Sequence, residues 1–172
     1  MESVVCRRSA VFVARRTALL PSPSVSIRQF IALGSLVNAL VALYLHLWKL
    51  GLMGSLACSS GGGCAYVQGS PWSWFLGVDV ALIGAVGYSV LFVVAIIGSL
   101  PRFEDASWVT RAMQVLIWAA VLFTLRLKYG EFIVLKSFCS WCAISAVSIT
   151  VFAVLVTLDA RRVLRVSPPR PT

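Results

Sequence analysis

The sequence predicts an all-α, polytopic membrane protein, a bundle of four transmembrane helices with a cysteine-bearing outer loop. Composition is the first reason: 59% of the 172 residues are apolar and only 12% are charged, against about 45–50% and about 25% in soluble domains. Mean hydropathy is +0.91, which excludes a soluble globule. The second reason is that Lys and Arg lie between long uncharged stretches, so the net charge of +9 indicates membrane topology and not nucleic-acid binding.

Four stretches are long enough to cross a bilayer, which takes about 20 mostly apolar residues. The predicted spans are residues 28–49, 75–100, 106–127 and 136–159. The second carries Asp79 as its only charge. The third is the weakest, because it crosses only if Arg111 and Arg126 extend their charged heads to the two interfaces.

The distribution of basic residues predicts the orientation, since Lys and Arg are enriched on the cytoplasmic side. With a cytoplasmic N-terminus, all but four of the 15 Lys and Arg residues lie inside, and those four are Lys49, Arg126, Lys128 and Lys136. The chain then divides into a basic cytoplasmic tail (1–27), a four-helix transmembrane domain (28–158) and a second basic cytoplasmic tail (159–172). The first tail lacks the apolar core of a secretory signal. A solvated tail, a transit-like segment and an over-extended start all fit it.

Four of the five cysteines form two pairs on the predicted outer side, which is the oxidising side where disulfides persist. Cys58 and Cys64 flank a Ser-Ser-Gly-Gly-Gly spacer in the first outer loop, and such glycines allow a mobile loop. Cys139 and Cys142 form a C-x-x-C at the start of the fourth span. Helical positions three apart share a face, and the helix start stabilises a thiolate.

Other residues near these pairs have less specific meanings. Lys136 supplies a cation close to the C-x-x-C in the sequence. Cys6, in the basic tail, is expected to be a reduced thiol without a role. The aromatic segment 71–75 fits either an interfacial belt or a cap over a cavity.

Three polar residues in or beside the spans leave alternatives open. Asn38 and His46 lie eight apart on the first span and therefore roughly on one face. Polar groups in a membrane are often functional, but a helix–helix hydrogen bond or an interfacial position explains them equally well. Asp79 fits either a helix-start carboxylate favoured by the dipole or a proton relay.

These features together resemble the vitamin K epoxide reductase family in its bacterial form. The resemblance is carried by Cys58 and Cys64, by Ser70 in the segment that follows, by the stretch 75–88 (FLGVDVALIGAVGY) and by Cys139-Ser140-Trp141-Cys142. It covers about residues 28–158. Asp79 departs from the pattern, because such sequences usually carry proline at that position.

The resemblance implies a quinone-dependent thiol–disulfide oxidoreductase in the bacterial inner (cytoplasmic) membrane, with a quinone such as ubiquinone or menaquinone in a pocket within the bundle. Cys142 would face the quinone, Cys139 would exchange with Cys64, and Cys58 would take electrons from a separate thioredoxin-fold (DsbA-like) protein. The catalytic residues are then Cys58, Cys64, Cys139 and Cys142, and the quinone-binding residues are Cys142, Ser70 and Asp79. No metal is expected.

Other functions fit the same composition. The four-span disulfide generators of the DsbB type carry their C-x-x-C in the first outer loop, whereas here the order of the two pairs is inverted. A structural or transport bundle with non-catalytic disulfides is a second alternative. A membrane protein that binds a metal through four cysteines is a third.

Overall fold

The computed structural model describes residues 23–58, 61–103 and 106–166, and within them it shows a bundle of four long helices. These are α1 (Pro23–Lys49), α3 (Val80–Gly98), α4 (Ser107–Tyr129) and α5 (Ser140–Val166); a short helix, α2 (Gly63–Gly69), lies between α1 and α3. Each long helix contains a stretch that is long and apolar enough to cross a membrane. The predicted fold class is therefore confirmed.

The four long helices pack in a ring, α1 against α3, α3 against α4, α4 against α5, and α5 against α1. The interior is filled by Ile31, Leu91, Met113, Ile117 and Phe152, each at most 3% exposed. Large apolar side chains also cover the outside of the bundle, as a surface in contact with lipid requires. The length and composition of its helices and the apolar outer surface of the bundle thus identify the protein as an integral membrane protein.

One end of the bundle, which we call the Arg28 end, is joined by a single buried guanidinium. Arg28 is 1% exposed and donates through Nη1 to the Gly98 carbonyl at 2.6 Å and through Nη2 to Thr110 Oγ1 at 3.0 Å. Its Nε lies 3.6 Å from the carboxylate of Asp159. One side chain on α1 therefore contacts α3, α4 and α5. Gly98 leaves room for this approach, since a Cβ there would lie 3.3 Å from Arg28 Cδ and 2.6 Å from Val109 Cγ1.

The opposite end, which we call the cysteine end, is closed by a compact loop. After α2, a 3₁₀ turn (Pro71–Ser73) leads into a two-stranded antiparallel hairpin of β1 (Trp74–Phe75) and β2 (Val78–Asp79). Leu76 and Gly77 form its two-residue turn with φ of 53° and 81°, the pair of positive angles that a tight hairpin requires. The predicted start of the second span at Phe75 is therefore wrong, and the helix begins at Val80.

The boundaries of α4 and α5 also differ from the sequence prediction. After Tyr129, the α4 chain continues through a π-helical turn (Gly130–Val134), closed by the Leu135 N–H donating to the Gly130 carbonyl at 2.9 Å. Helix α5 begins at Ser140, at the C-x-x-C as predicted but four residues after the predicted start of the span, and it continues to Val166. Part of the expected second tail is therefore helical. Residues 1–22, with Cys6, and residues 167–172 lie outside the described part of the chain.

Candidate active site

The two cysteine pairs, far apart in the sequence, meet at the cysteine end. Cys58 and Cys64 form a disulfide, whereas Cys139 and Cys142 are free thiols. Cys64 and Cys139 are both 0% exposed and lie in one apolar cluster, against which Cys58 and Cys142 pack. Within residues 23–58, 61–103 and 106–166, no three His, Cys, Asp or Glu side chains form a group that could hold a metal ion. The sulfurs are arranged as a disulfide facing a thiol pair.

Glycines allow the loop to fold back and close the disulfide. Gly61 and Gly62 have φ of 56° and 94°, in the left-handed region that favours glycine, and α2 starts immediately afterwards. The hydroxyl of Ser140 lies against the closed disulfide, 3.4 Å from Cys64 Sγ and 3.9 Å from Cys58 Sγ. The first residue of α5 therefore contacts both loop sulfurs.

The expected position of Cys139 at a helix start is confirmed. Its carbonyl accepts the N–H of Ala143 at 3.0 Å, and its Sγ accepts the N–H of Cys142 at 3.4 Å, so Cys139 occupies the position of a helix cap. The Cys142 thiol, together with backbone N–H groups, lowers the pKa of Cys139 from 9.0 to about 7, although burial and the Glu131 charge oppose the shift. Cys139 is thus prepared to act as a nucleophile.

A carboxylate that the sequence analysis missed supports the same cysteine. Glu131, in the π-helical turn, is 2% exposed, and its Oε1 accepts the backbone N–H of Cys139 at 2.6 Å. Its Oε2 pairs with Lys128 Nζ at 2.5 Å. Lys136, the cation expected from the sequence, is exposed and is not among the groups that shift the pKa of Cys139. A Lys–Glu pair at i, i+3 just before a C-x-x-C was the available signal.

An apolar cavity of about 490 Å³ lies inside the bundle next to the thiol pair. All four long helices contribute to its wall, together with α2 and the hairpin. Most of the lining is apolar, and its polar members are Asn38, Gln68, Tyr88, Thr124, Lys128, Trp141, Cys142 and Ser145. Cys142 lines the cavity whereas Cys139 is absent from the lining. The C-x-x-C therefore places one sulfur toward the loop disulfide and the other toward the cavity.

The short helix α2 connects the disulfide with the cavity. It carries Cys64 and, one turn later on the same face, Gln68, which is 7% exposed. The Gln68 amide Nε2 lies 3.6 Å from Cys142 Sγ, within range of a weak N–H···S contact. On the cavity wall, the Tyr88 hydroxyl lies 2.8 Å from Ser145 Oγ. The otherwise apolar wall therefore carries polar groups at Gln68 beside Cys142 and at the Tyr88–Ser145 pair.

Ser70 and Asp79 do not line this cavity. Ser70 Oγ donates to the Val67 carbonyl at 2.7 Å, which stabilises the end of α2. Asp79 Oδ1 accepts the N–H of Ala81 at 3.0 Å as the N-cap of α3, the role expected of a helix-start carboxylate. Their assignment as quinone-binding residues stays a prediction that no contact in the structure supports.

Asp79 also joins the first two spans. Its carboxylate pairs with His46 Nδ1 at 2.7 Å and Lys49 Nζ at 2.5 Å. Burial raises the pKa of Asp79, but the hydrogen bonds from Lys49, His46 and Ala81 outweigh that cost and hold the pKa below 3.8. Asn38, by contrast, lines the cavity and donates to the Gly34 carbonyl at 2.8 Å.

The aromatic segment covers the cysteine end of the cavity. Phe75 lines it, and the guanidinium of Arg126 lies 4.8 Å from the Phe75 ring and 5.2 Å from the Trp72 ring. Trp72 packs on Gly130, where a Cβ would lie 2.6 Å from the indole. Trp74 is 50% exposed. The interpretation as a cap is supported for Phe75, with Trp72 next to it through Arg126, and the interpretation as an interfacial belt stays a prediction for Trp74.

Comparison with known protein families identifies the family to which the chain belongs. The family model described as "Vitamin K epoxide reductase family" matches residues 29–157, a range that includes the four long helices in the main, both cysteine pairs and the whole cavity wall. Because the match spans well over half of the sequence, the chain belongs to the vitamin K epoxide reductase family and is a membrane thiol–disulfide oxidoreductase.

Proposed function

We propose that the protein passes electrons from a separate thioredoxin-fold (DsbA-like) protein, through Cys58/Cys64 and Cys139/Cys142, to a membrane quinone, and so generates disulfides for exported proteins. The observation that carries this proposal is that the two cysteines of the C-x-x-C have different surroundings. Cys139 is packed with Cys64, while Cys142 lines the cavity. A pair with one sulfur on each side can connect two redox partners that never meet.

The accessibility of the four sulfurs supports the order of transfer. Cys58 is half-buried, whereas Cys64 and Cys139 are fully buried. A protein thiol from outside can therefore reach Cys58 first, which leaves Cys64 to exchange with Cys139. Each exchange requires a thiolate that attacks a disulfide sulfur, and the pKa of Cys139 near 7 supplies one at neutral pH.

The cavity fits a quinone as the electron acceptor. Its apolar wall suits a lipid-soluble ring, and its volume of about 490 Å³ lies in the ordinary range for ligand sites. Donor groups, the Gln68 amide and the Lys128 ammonium, belong to the same lining as Cys142. When bound, a quinone such as ubiquinone or menaquinone would accept the two electrons released as the thiol pair becomes a disulfide.

The proposed placement in the membrane follows from charge. Most of the Lys and Arg residues fall on the side that we propose to be cytoplasmic, as is usual for membrane proteins, which puts the cysteine end on the outer face of a bacterial inner membrane. The tails 1–27 and 159–172 are then cytoplasmic. An impermeant maleimide applied to intact cells should label Cys58 after reduction. Labelling of Cys58 only after the membrane is permeabilised would contradict this orientation.

The function is tested with purified protein, a short-chain ubiquinone or menaquinone, and a reduced thioredoxin-fold oxidase. We expect oxidation of the partner thiols, with quinone reduced in equal amount. Serine at Cys58, Cys64, Cys139 or Cys142 should abolish turnover, and the matched control Cys6→Ser should not. Turnover retained by Cys142→Ser would contradict the proposed route.

A further inference from the structure

Lys128 is the only charged residue in the cavity lining that the structure describes. It lies in the last turn of α4, and its side chain is 18% exposed. The other polar members of that lining are neutral amides, hydroxyls, an indole and the Cys142 thiol. An ammonium group in such a setting costs free energy unless it is paired, so the position of its partner determines what it can do.

Glu131 is the partner that holds this ammonium. The carboxylate is 2% exposed and each of its oxygens has one partner, Lys128 Nζ at Oε2 and the Cys139 N–H at Oε1. The π-helical turn that carries Glu131 begins one residue after α4 ends, and such turns often occur at functional sites. One carboxylate therefore bridges the cation of the cavity and the backbone of the reactive cysteine pair.

Reduction of a quinone needs protons as well as electrons. When the thiols of Cys139 and Cys142 become a disulfide, two S–H bonds break, one S–S bond forms, and two electrons and two protons are released. The quinone takes up two electrons and two protons and forms two O–H bonds. The electrons can leave through Cys142, which lines the cavity, but the apolar part of the wall carries no acidic protons. The donor must therefore be one of the polar members of the lining, among which Lys128 is the only charged residue in the part of the chain that the structure describes.

We propose that Lys128 is a catalytic proton donor to the quinone oxygen, and that Glu131 is the positioning residue that holds it beside the cysteine pair. This inference rests on the proposed function. The Lys128 N–H bond breaks as a quinone O–H bond forms, and the amine then takes up one of the two protons released by the thiols. The other thiol proton completes the hydroquinone, so charge and atoms balance over the cycle.

Two substitutions separate proton donation from simple charge. Lys128→Gln removes both the cation and the acidic proton. Lys128→Arg keeps a cation that can pair with Glu131, but a guanidinium does not give up its proton under these conditions. Arg111→Gln, at an exposed cation in the second turn of α4, is the matched control.

Each variant is measured in two assays. One is kcat for quinone reduction at saturating quinone. The other is the quinone-independent exchange between the partner thiol and the protein disulfides, followed by mass shift after alkylation. We expect both Lys128 variants to lower kcat by about 100-fold, the usual size of a general-acid contribution, with thiol exchange within about twofold of the unmodified protein. Normal exchange also shows that the variants fold.

The role of Glu131 is tested by Glu131→Gln, which keeps an acceptor for the Cys139 N–H but loses the ion pair. We expect slower quinone reduction, whereas thiol exchange should be no slower than in the unmodified protein, because the Glu131 charge raises the pKa of Cys139 and its removal favours the thiolate. Wild-type kcat in Lys128→Arg would overturn proton donation, and wild-type kcat in Glu131→Gln would overturn the positioning role. Absence of quinone reduction by the unmodified protein would overturn the proposed function itself, and with it this inference.

Discussion

The two ends of the bundle use buried charge in different ways. At the Arg28 end, one guanidinium on α1 contacts the three other long helices, through Gly98, Thr110 and Asp159. At the cysteine end, Lys128 pairs with Glu131 three residues away and Lys49 pairs with Asp79 between the first two spans, and no single side chain in the described residues joins all the spans there. The comparison indicates that the Arg28 end holds the four long helices together, whereas at the cysteine end each segment that carries a cysteine is held by its own contacts.

The largest effect on stability is expected from Arg28→Met. The substitution removes a buried guanidinium together with its hydrogen bonds to the Gly98 carbonyl and Thr110 and its contact with Asp159, and removing one member of a buried charged network costs about 3–5 kcal/mol. We expect that loss in the free energy of unfolding in detergent micelles, while the folded fraction still exchanges thiols. Arg111→Met, at an exposed cation of the same end, is the control. Equal destabilisation by the two variants would remove the distinction between the two ends.

A matched pair of glycine substitutions sharpens the comparison. In Gly98→Ala the new Cβ meets Val109 at the Arg28 end, and in Gly130→Ala it meets the Trp72 ring at the cysteine end, at 2.6 Å in both cases. Each should cost about 1–3 kcal/mol, as overpacking usually does. Only Gly130→Ala should also slow turnover, because Trp72 belongs to the cap.

The control for this pair is Gly54→Ala, since nothing lies within 4 Å of its Cβ position. Its thermal unfolding midpoint and turnover should match those of the unmodified protein. If Gly98→Ala slowed turnover of the folded protein as much as Gly130→Ala, the proposed difference in role between the Arg28 end and the cysteine end would be wrong.

The smallest expected effect is a change in the titration of Cys139. With Cys58 and Cys64 both replaced by serine, thiolate absorbance should rise with a midpoint near pH 7, the pKa of Cys139. Since this pKa lies below the ordinary 9.0, the thiolate favours the folded state at high pH, and that contribution is lost as pH falls through 7. Exchange should therefore slow about tenfold for each pH unit below 7.

Substitutions at Cys142 test the cause of this shift. Cys142→Ala removes the thiol donor and should move the midpoint upward toward 9.0, whereas Cys142→Ser keeps a hydroxyl donor and should move it less. Cys139→Ser, the control, should remove the transition altogether. A midpoint that stayed near 9.0 in the protein with an intact pair would contradict the assigned hydrogen bonding.

The spans and the cysteine pairs were predictable because both depend on local sequence. Uncharged length identified four helices, and the C-x-x-C identified a helix start, which the structure places at Ser140. The start of α3 was not predictable from hydropathy, because residues 75–79 are apolar enough to continue a span. The positive φ values at Leu76 and Gly77 turn the chain into a hairpin instead.

The support for Cys139 was missed for a different reason. Lys136 is nearer in the sequence, so it was the expected cation, but the positive φ at that residue (47°) belongs to a turn that leaves its side chain exposed. Lys128 entered the prediction only as a topology signal, and Glu131 was not singled out at all. Their contacts with the site depend on the π-helical turn after Tyr129, which shifts the helical register in a way that an ideal helix of 3.6 residues per turn does not anticipate.

Helix α2 is only seven residues long, yet it holds Cys64 at one end and the Gln68 amide one turn away. A rigid rod this short cannot rotate at one end without displacing the other. If the Cys58–Cys64 disulfide opens and Cys64 bonds with Cys139, then Gln68 must move relative to Cys142 and to the rest of the cavity lining. Movement of α2 would then couple disulfide exchange among the cysteines to the entry of the quinone into the cavity.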